Sequence, residues 1–403
     1  MDDVPMSITP PDASFRLRQI LVPAYGPTAV ASIGHGAILP IIALHARSLD
    51  ASVAQAAALV GLVGLGQLLA SLPTGALVAR IGERRALIWS GIAETVLFVA
   101  AWWATDLLAF AAIAFVMGAT WTVFLLARQG FIIDAVPEGY RARALSSLGG
   151  SYRIGIFVGP FFGAGVIHLW GVPAVFLIGA LTSVAAVLLV QSMPDLSAAA
   201  RRHGDTHGHE SVWEVLRTHR RVFATLGTAV GVISASRALR ISILPLWCDH
   251  VGLSASATSL AFGIAAAVDV SLFYPAGWIM DRFGRRWVAF SVVAGATLGV
   301  LLLPLADDFG SVVAVAVVIA IGNGLGSGIV MTLGADTAPR LGRAQYLGGW
   351  RLFGDLGNSG APLLLGLLTG LFPLAAACVA LGGLGILGTA WVSFWTRKFD
   401  RSR

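Results

Sequence analysis

Stretches of roughly 18–25 mostly apolar residues, the length a helix needs to cross a membrane, recur along this chain between short polar breaks. They fall near 20–45, 53–79, 86–105, 108–132, 145–168 and 172–192, then near 222–248, 256–280, 287–305, 311–334, 346–369 and 373–396. In lipid the backbone of such a run must satisfy its own hydrogen bonds, which leaves helices joined by tight hairpins. The pattern predicts an all-α integral membrane protein of twelve transmembrane helices.

Two polar segments frame these runs. Residues 1–15 carry Asp2, Asp3 and Asp12 and lack the basic start and cleavage site of a signal peptide, so they read as a disordered tail. Residues 193–221 hold Pro194, Arg201, Arg202 and three histidines, His203, His207 and His209. They read as a central linker between one six-helix bundle at 16–192 and another at 222–396, with 397–403 as a closing tail. Without thiolates or clustered carboxylates the histidines are not expected to hold a metal. Within the linker, Glu210–Arg221 has the apolar spacing of a surface amphipathic helix (Val212, Trp213, Val215, Leu216).

The halves share a register. Pro73–Arg84 reads P-T-G-A-L-V-A-R-I-G-E-R, and 202 residues later Pro275–Arg286 reads P-A-G-W-I-M-D-R-F-G-R-R. The same offset of 202 pairs Asp134 with Asp336, Pro137 with Pro339, Arg141 with Arg343, Gly155 with Gly357 and Pro160 with Pro362. One offset across separated blocks indicates a duplicated unit.

Composition agrees. The chain has 57% hydrophobic and 12% charged residues, with mean hydropathy +0.81, against about 25% charged in soluble domains. Its two cysteines, Cys248 and Cys378, sit in apolar runs and supply no disulfide framework. A basic balance could suggest nucleic acid, but the placement of charge argues otherwise. Twenty-one of the 27 lysines and arginines fall in the tails and the even-to-odd loops, and only Arg47 lies in a loop on the other side. By the positive-inside rule both termini are cytoplasmic. Trp102, Trp103, Trp170 and Trp247 near one set of span ends, and Trp391 and Trp395 near the other, suit interfacial belts.

The segment Gly277–Arg286 resembles the signature loop between helices two and three, repeated between eight and nine, of major facilitator superfamily transporters. The likeness covers essentially the whole chain and implies two pseudo-symmetric six-helix bundles that rock about a shared centre. It also implies a gating motif: Gly75, Arg80, Gly82, Arg84 and Asp134 in one half, and Gly277, Asp281, Arg282, Gly284, Arg286 and Asp336 in the other. The glycines permit a tight turn and close helix contact. Asp281 is placed to face a neighbouring helix N-terminus, and Asp134 and Asp336 are the natural partners of Arg84 and Arg286. The first copy departs from the pattern, with Ala79 where an aspartate is expected. Span five reads G-I-F-V-G-P-F-F-G-A from Gly155 to Ala164, similar to the motif of proton-driven drug antiporters in that superfamily. Gly155, Gly159 and Gly163 allow close packing there, and Pro160 kinks the span.

Ionisable residues at membrane depth are functional candidates. Counted from charged span ends, His35, Glu94, Arg153, Arg237, Asp269 and Asp355 lie about 13–18 Å deep, and Arg240 and Arg351 are one turn from Arg237 and Asp355. The resemblance implies that span five crosses span eight and span two crosses span eleven. That sets Arg153 against Asp269, with Arg237 as the competing partner, and Gln67 near Asp355. Arg351 and Asp355 also neutralise each other at i,i+4. Glu94 suits a structural hydrogen bond, and His35, between two glycines, suits a substrate or proton contact. Asn323, among the glycines of span ten, suits a polar cavity contact.

These residues predict a secondary transporter: a proton-coupled exporter of a small organic solute or drug, working as a monomer in the cell membrane. It would need no cofactor beyond a proton gradient. Import of an anionic or zwitterionic metabolite is the alternative, since His35 stands where drug exporters often carry an acid and the span-seven arginines add positive charge. The chain has no phosphate-binding loop for ATP drive and no nucleophile–base pair for an enzyme. A non-transporting membrane sensor or scaffold is the distant alternative.

Overall fold

The computed structural model describes residues 21–136, 138–192, 212–339 and 343–401; the N-terminal tail and the linker histidines lie outside them. Span one is Leu21–Ile38 continued by Ile41–Ser48, and spans two to six are Val53–Ile81, Glu83–Trp103, Leu107–Ala135, Glu138–Trp170 and Val175–Gln191. Span seven is Thr228–His250, entered through a π-turn at Phe223–Gly227. Span eight is Ala255–Ser271 with Phe273–Phe283, and span nine is Arg285–Leu302. Span ten is Phe309–Leu325 with Ile329–Thr337, and spans eleven and twelve are Arg343–Leu371 and Leu374–Arg401. Residues 397–401, read from the sequence as tail, therefore continue span twelve as helix.

Among the described residues, nine helices alone are long and apolar enough to cross a bilayer, and spans one and eight, each bent by 43°, raise the total to eleven. Span eleven is long enough at 29 residues, but Arg351, Asp355 and Asn358 dilute its apolar character. Large apolar side chains point outward around the bundle (Leu108 is 78% exposed and Leu181 71%), as lipid contact requires. The bends have local causes. Pro40 caps the second piece of span one, and Pro275 conflicts with the carbonyl four residues before it, Ser271, where span eight breaks.

The duplication extends into the caps. Ser52 and Ser254, 202 apart, each accept an N–H bond at the start of spans two and eight. Asp106 and Asp308 do the same for spans four and ten, and Gly82 and Gly284 carry nearly equal positive φ, 87° and 89°. Packing repeats as well. A Cβ at Gly155 would meet the Ala29 carbonyl oxygen of span one at 2.7 Å, and one at Gly357 would run into that of Gly231, its counterpart in span seven.

Spans two and eleven, and spans five and eight, join the halves. A Cβ at Gly61 would strike Leu363, and one at Gly263 would strike the equivalent Phe161. Ser256 donates a hydroxyl bond to the Ala164 carbonyl at 2.8 Å. These contacts lie toward the arginine-poor end, where Arg47 Nε also bonds Asp249 Oδ2 at 2.9 Å. Arg47 and Asp249 are themselves 202 apart, so the pair sits on the pseudo-two-fold axis. Toward the arginine-rich end, a Cβ at Gly75, Gly149, Gly150, Gly277 or Gly348 would meet nothing within 4 Å. The four interface helices part there.

Two sequence expectations change. Trp247 is a core residue, 3% exposed, with its indole N–H on the Ala306 carbonyl, rather than part of a belt. The Val212–Thr218 helix packs on span eleven, burying Val215 beside a cluster that holds Phe223, Tyr346 and Trp350. An aromatic pocket on the protein offers these side chains more contact than a lipid surface would.

Candidate functional site

Asp269 stands where the halves cross. Its Oδ1 lies 3.5 Å from Arg153 Nη1 of span five, and its Oδ2 lies 3.9 Å from Arg240 Nη1 of span seven. The Asn323 amide of span ten donates to Oδ2 at 2.6 Å. Both arginine distances exceed a hydrogen bond, so the carboxylate is attracted to two guanidiniums without being clamped by either. The Arg153 guanidinium also covers the Phe273 ring at 4.8 Å. A Cβ at Gly324 would meet the Asp269 backbone oxygen at 2.8 Å; the small residue lets span ten bring Asn323 this close.

Arg237, the other partner considered for Asp269, turns elsewhere. Its Nη2 donates to the Gly326 carbonyl at 2.8 Å, which otherwise accepts only a 3.3 Å bond from the Ile329 N–H because span ten is interrupted before Gly328, whose φ is +80°. Arg351 Nε lies 3.6 Å from Asp355 Oδ2, and the span-two side chain beside Asp355 is Ser71, one turn on from Gln67. His35 Nε2 lies 3.2 Å from Glu94 Oε1, both buried, and its ring stacks on Trp121 at 3.5 Å. That pair is internal to the first half.

Two groups were missed in sequence. Arg128 of span four lies under the Tyr152 ring, 5.3 Å from its centroid, with Nε and Nη1 buried and without a hydrogen-bond partner. It is only six residues before Asp134, so counting places it near a span end. Tyr152 lies within electrostatic reach of Arg128, Arg153, Arg240 and Asp269, which joins the clusters of both halves.

The gating loop differs from expectation in three respects. Asp336 binds Arg285 Nε at 3.0 Å rather than Arg286. Gly284 caps span nine, so its first two residues point about 100° apart and only Arg285 faces span ten; Arg286 lies over Trp287. The carboxylate on the span-nine N-terminus is Asp400, which accepts from the Arg285 and Arg286 backbone N–H groups at 3.2 and 2.9 Å. Asp281 is exposed. Third, Arg84 donates to the Gln191 carbonyl at 2.8 Å. Arg282 stacks on Trp278 and Phe283, while Arg80 is exposed; Asp134 stands at the end of span four. Gly155 and Gly159 face span one, as does Gly163, and Pro160 lies inside the continuous helix of span five. A groove of about 580 Å³ between spans nine and twelve has mostly apolar walls, with Arg286 at one end, and none of the charged residues around Asp269 lines it.

A family profile described as Major Facilitator Superfamily matches residues 28–339 and 226–403. The chain belongs to that superfamily. This facilitator is accordingly a multi-pass membrane transporter of the secondary kind and not an enzyme. It is 23% identical over 302 residues to NiaP of Bacillus subtilis (strain 168), whose name assigns it to niacin/nicotinamide transport; the match covers 73% of this chain and 74% of that one. It is 28% identical over 178 residues to the multidrug resistance protein MdtG of Enterobacter lignolyticus (strain SCF1), covering 42% of this chain and 41% of MdtG. A solved POT family transporter in complex with a thioalcohol-conjugated peptide superimposes with TM-score 0.77 over 94% of this chain and 96% of its own, at 12% identity. That last likeness is one of fold.

Proposed function

We propose that the transporter moves a small organic solute by proton-coupled alternating access, and that Asp269 with Arg153 forms the coupling pair. The observation that carries this reading is their 3.5 Å approach across the interface between halves. A proton on Asp269 removes the charge that attracts Arg153 and Arg240, and the crossing of spans five and eight loosens at mid-depth. The charge bias supports a cytoplasmic arginine-rich end; on this reading the parted interface helices belong to an inward-open state, and the protein works as a monomer in the cell membrane. No cofactor is needed, because the proton gradient supplies the drive.

Export is the first reading, supported by the span-five motif and the MdtG relationship. Import of an anionic metabolite is the second. It is favoured by five arginines within the spans, at 128, 153, 237, 240 and 351, against the carboxylates of Glu94, Asp269 and Asp355, and by the longer match to NiaP. Flux into inside-out and right-side-out vesicles under an imposed pH gradient separates the two. In Asp269→Asn the gradient is expected to lose its effect while solute exchange without a gradient persists. Gradient-driven flux unchanged in that variant would remove the assignment.

A further inference from the structure

From the arrangement of charge between the halves we infer that the transporter binds its solute by a carboxylate held between Arg128 of the first half and Arg351 of the second. The inference rests on the transporter reading and adds a solute class and a site to it. Arg128 has two guanidinium nitrogens buried and unbonded, and a buried donor of that kind is costly unless something occupies it. The Tyr152 ring covers one side of the guanidinium and fixes its plane while contributing no acceptor to those nitrogens. Arg351 of the second half lies within electrostatic reach of Arg128, and its own partner Asp355 is 3.6 Å away, beyond hydrogen-bond length. A buried guanidinium without a counter-ion, within electrostatic reach of a second guanidinium from the other half, makes a positive site that suits a planar carboxylate.

The position suits a carried solute. Both arginines lie on the arginine-rich side of Asp269, where the interface helices part. Closing that end brings the two positive charges together in a medium of low dielectric, which opposes closure of the empty carrier. A carboxylate between them reverses the sign of the interaction, and bound solute then favours closure. The excess of arginine in the spans has the same meaning. Asp269 is shared by Arg153 and Arg240, Asp355 lies beside Arg351 and Arg237 is bonded to the Gly326 carbonyl, which leaves Arg128, among the described arginines of the spans, with neither a carboxylate nor a carbonyl and with an anion to be supplied from outside.

The test uses the purified full chain in detergent and pairs of near-isosteric probes: nicotinate with nicotinamide and benzoate with benzamide, together with acetate and succinate. At least one carboxylate is expected to raise the melting temperature in a saturable way while its amide partner does not. Arg128→Gln and Arg351→Gln should each weaken that binding about tenfold or more, the loss of a hydrogen bond to a charged group, and Arg351→Lys should recover part of it. Arg351 is the more exposed of the two, so its variants keep the test open if Arg128→Gln does not fold. No shift with any carboxylate, equal shifts with the amides, or undiminished carboxylate binding in Arg351→Gln would overturn the site. If the site fails while vesicles still show flux driven by a pH gradient, the transporter reading stands. If carboxylates bind but no solute moves, the site survives and that reading falls.

Discussion

Glycine in this protein does two jobs, and substitution separates them. At Gly155 an added Cβ would meet the Ala29 carbonyl oxygen at 2.7 Å, and beyond it the backbone of Ser32; neither can move without shifting span one. Gly155→Leu is expected to cost about 1–3 kcal/mol of stability, the range for overpacking, seen as a lower melting temperature in detergent. At Gly277 the space is empty. Gly277→Leu should leave the melting temperature unchanged and still slow transport, because span eight needs that surface when the arginine-rich end closes. A stability loss at Gly277 equal to that at Gly155 would show that the two positions do not differ in this way.

At the scale of elements, the start of span nine depends on the end of span twelve. The first N–H groups of a helix have no partner within it, and here the Asp400 carboxylate accepts from Arg285 and Arg286. Asp400→Ala is expected to cost about 0.5–2 kcal/mol, as loss of a helix cap does, whereas Asp281→Ala should cost nothing measurable; thermal unfolding of the two variants checks both. This contact also marks the limit of what the sequence discloses. The resemblance to the superfamily gave the spans that cross, and with them the meeting of Arg153 and Asp269, while the offset of 202 made the two crossings equivalent because duplicated helices pack in duplicated ways. A capping carboxylate 115 residues away in the chain obeys no such register. Asp400 falls in a segment whose charge reads as tail. The choice of Arg285 over Arg286 at Asp336 follows from the helix phase set by Gly284, in which one residue is about 100°, and loop composition does not encode it. Arg128 escaped because counting residues from a charged end measures depth along a helix and says nothing of which face a side chain takes.

For the whole molecule, the pair at the pseudo-two-fold axis bears on which end is open. Arg47 and Asp249 join the halves at the arginine-poor end while the other end is parted, so their bond belongs to this conformation and must break when that end opens. Each side chain is 35% exposed, which limits the contribution to about 0.2–1 kcal/mol. Since 1.4 kcal/mol is tenfold in an equilibrium constant, Arg47→Ala is expected to shift the ratio of the two conformations by at most about fivefold, toward the state open at the arginine-poor end. Spin labels on spans one and seven near that end would read the shift as a longer-distance population. The exchange Arg47→Asp with Asp249→Arg should restore the original distribution, because a pair on the axis is indifferent to which half carries which charge. A distribution that ignores the single change, or that the exchange fails to restore, would leave the helix contacts of Gly61 and Gly263 as what holds that end shut.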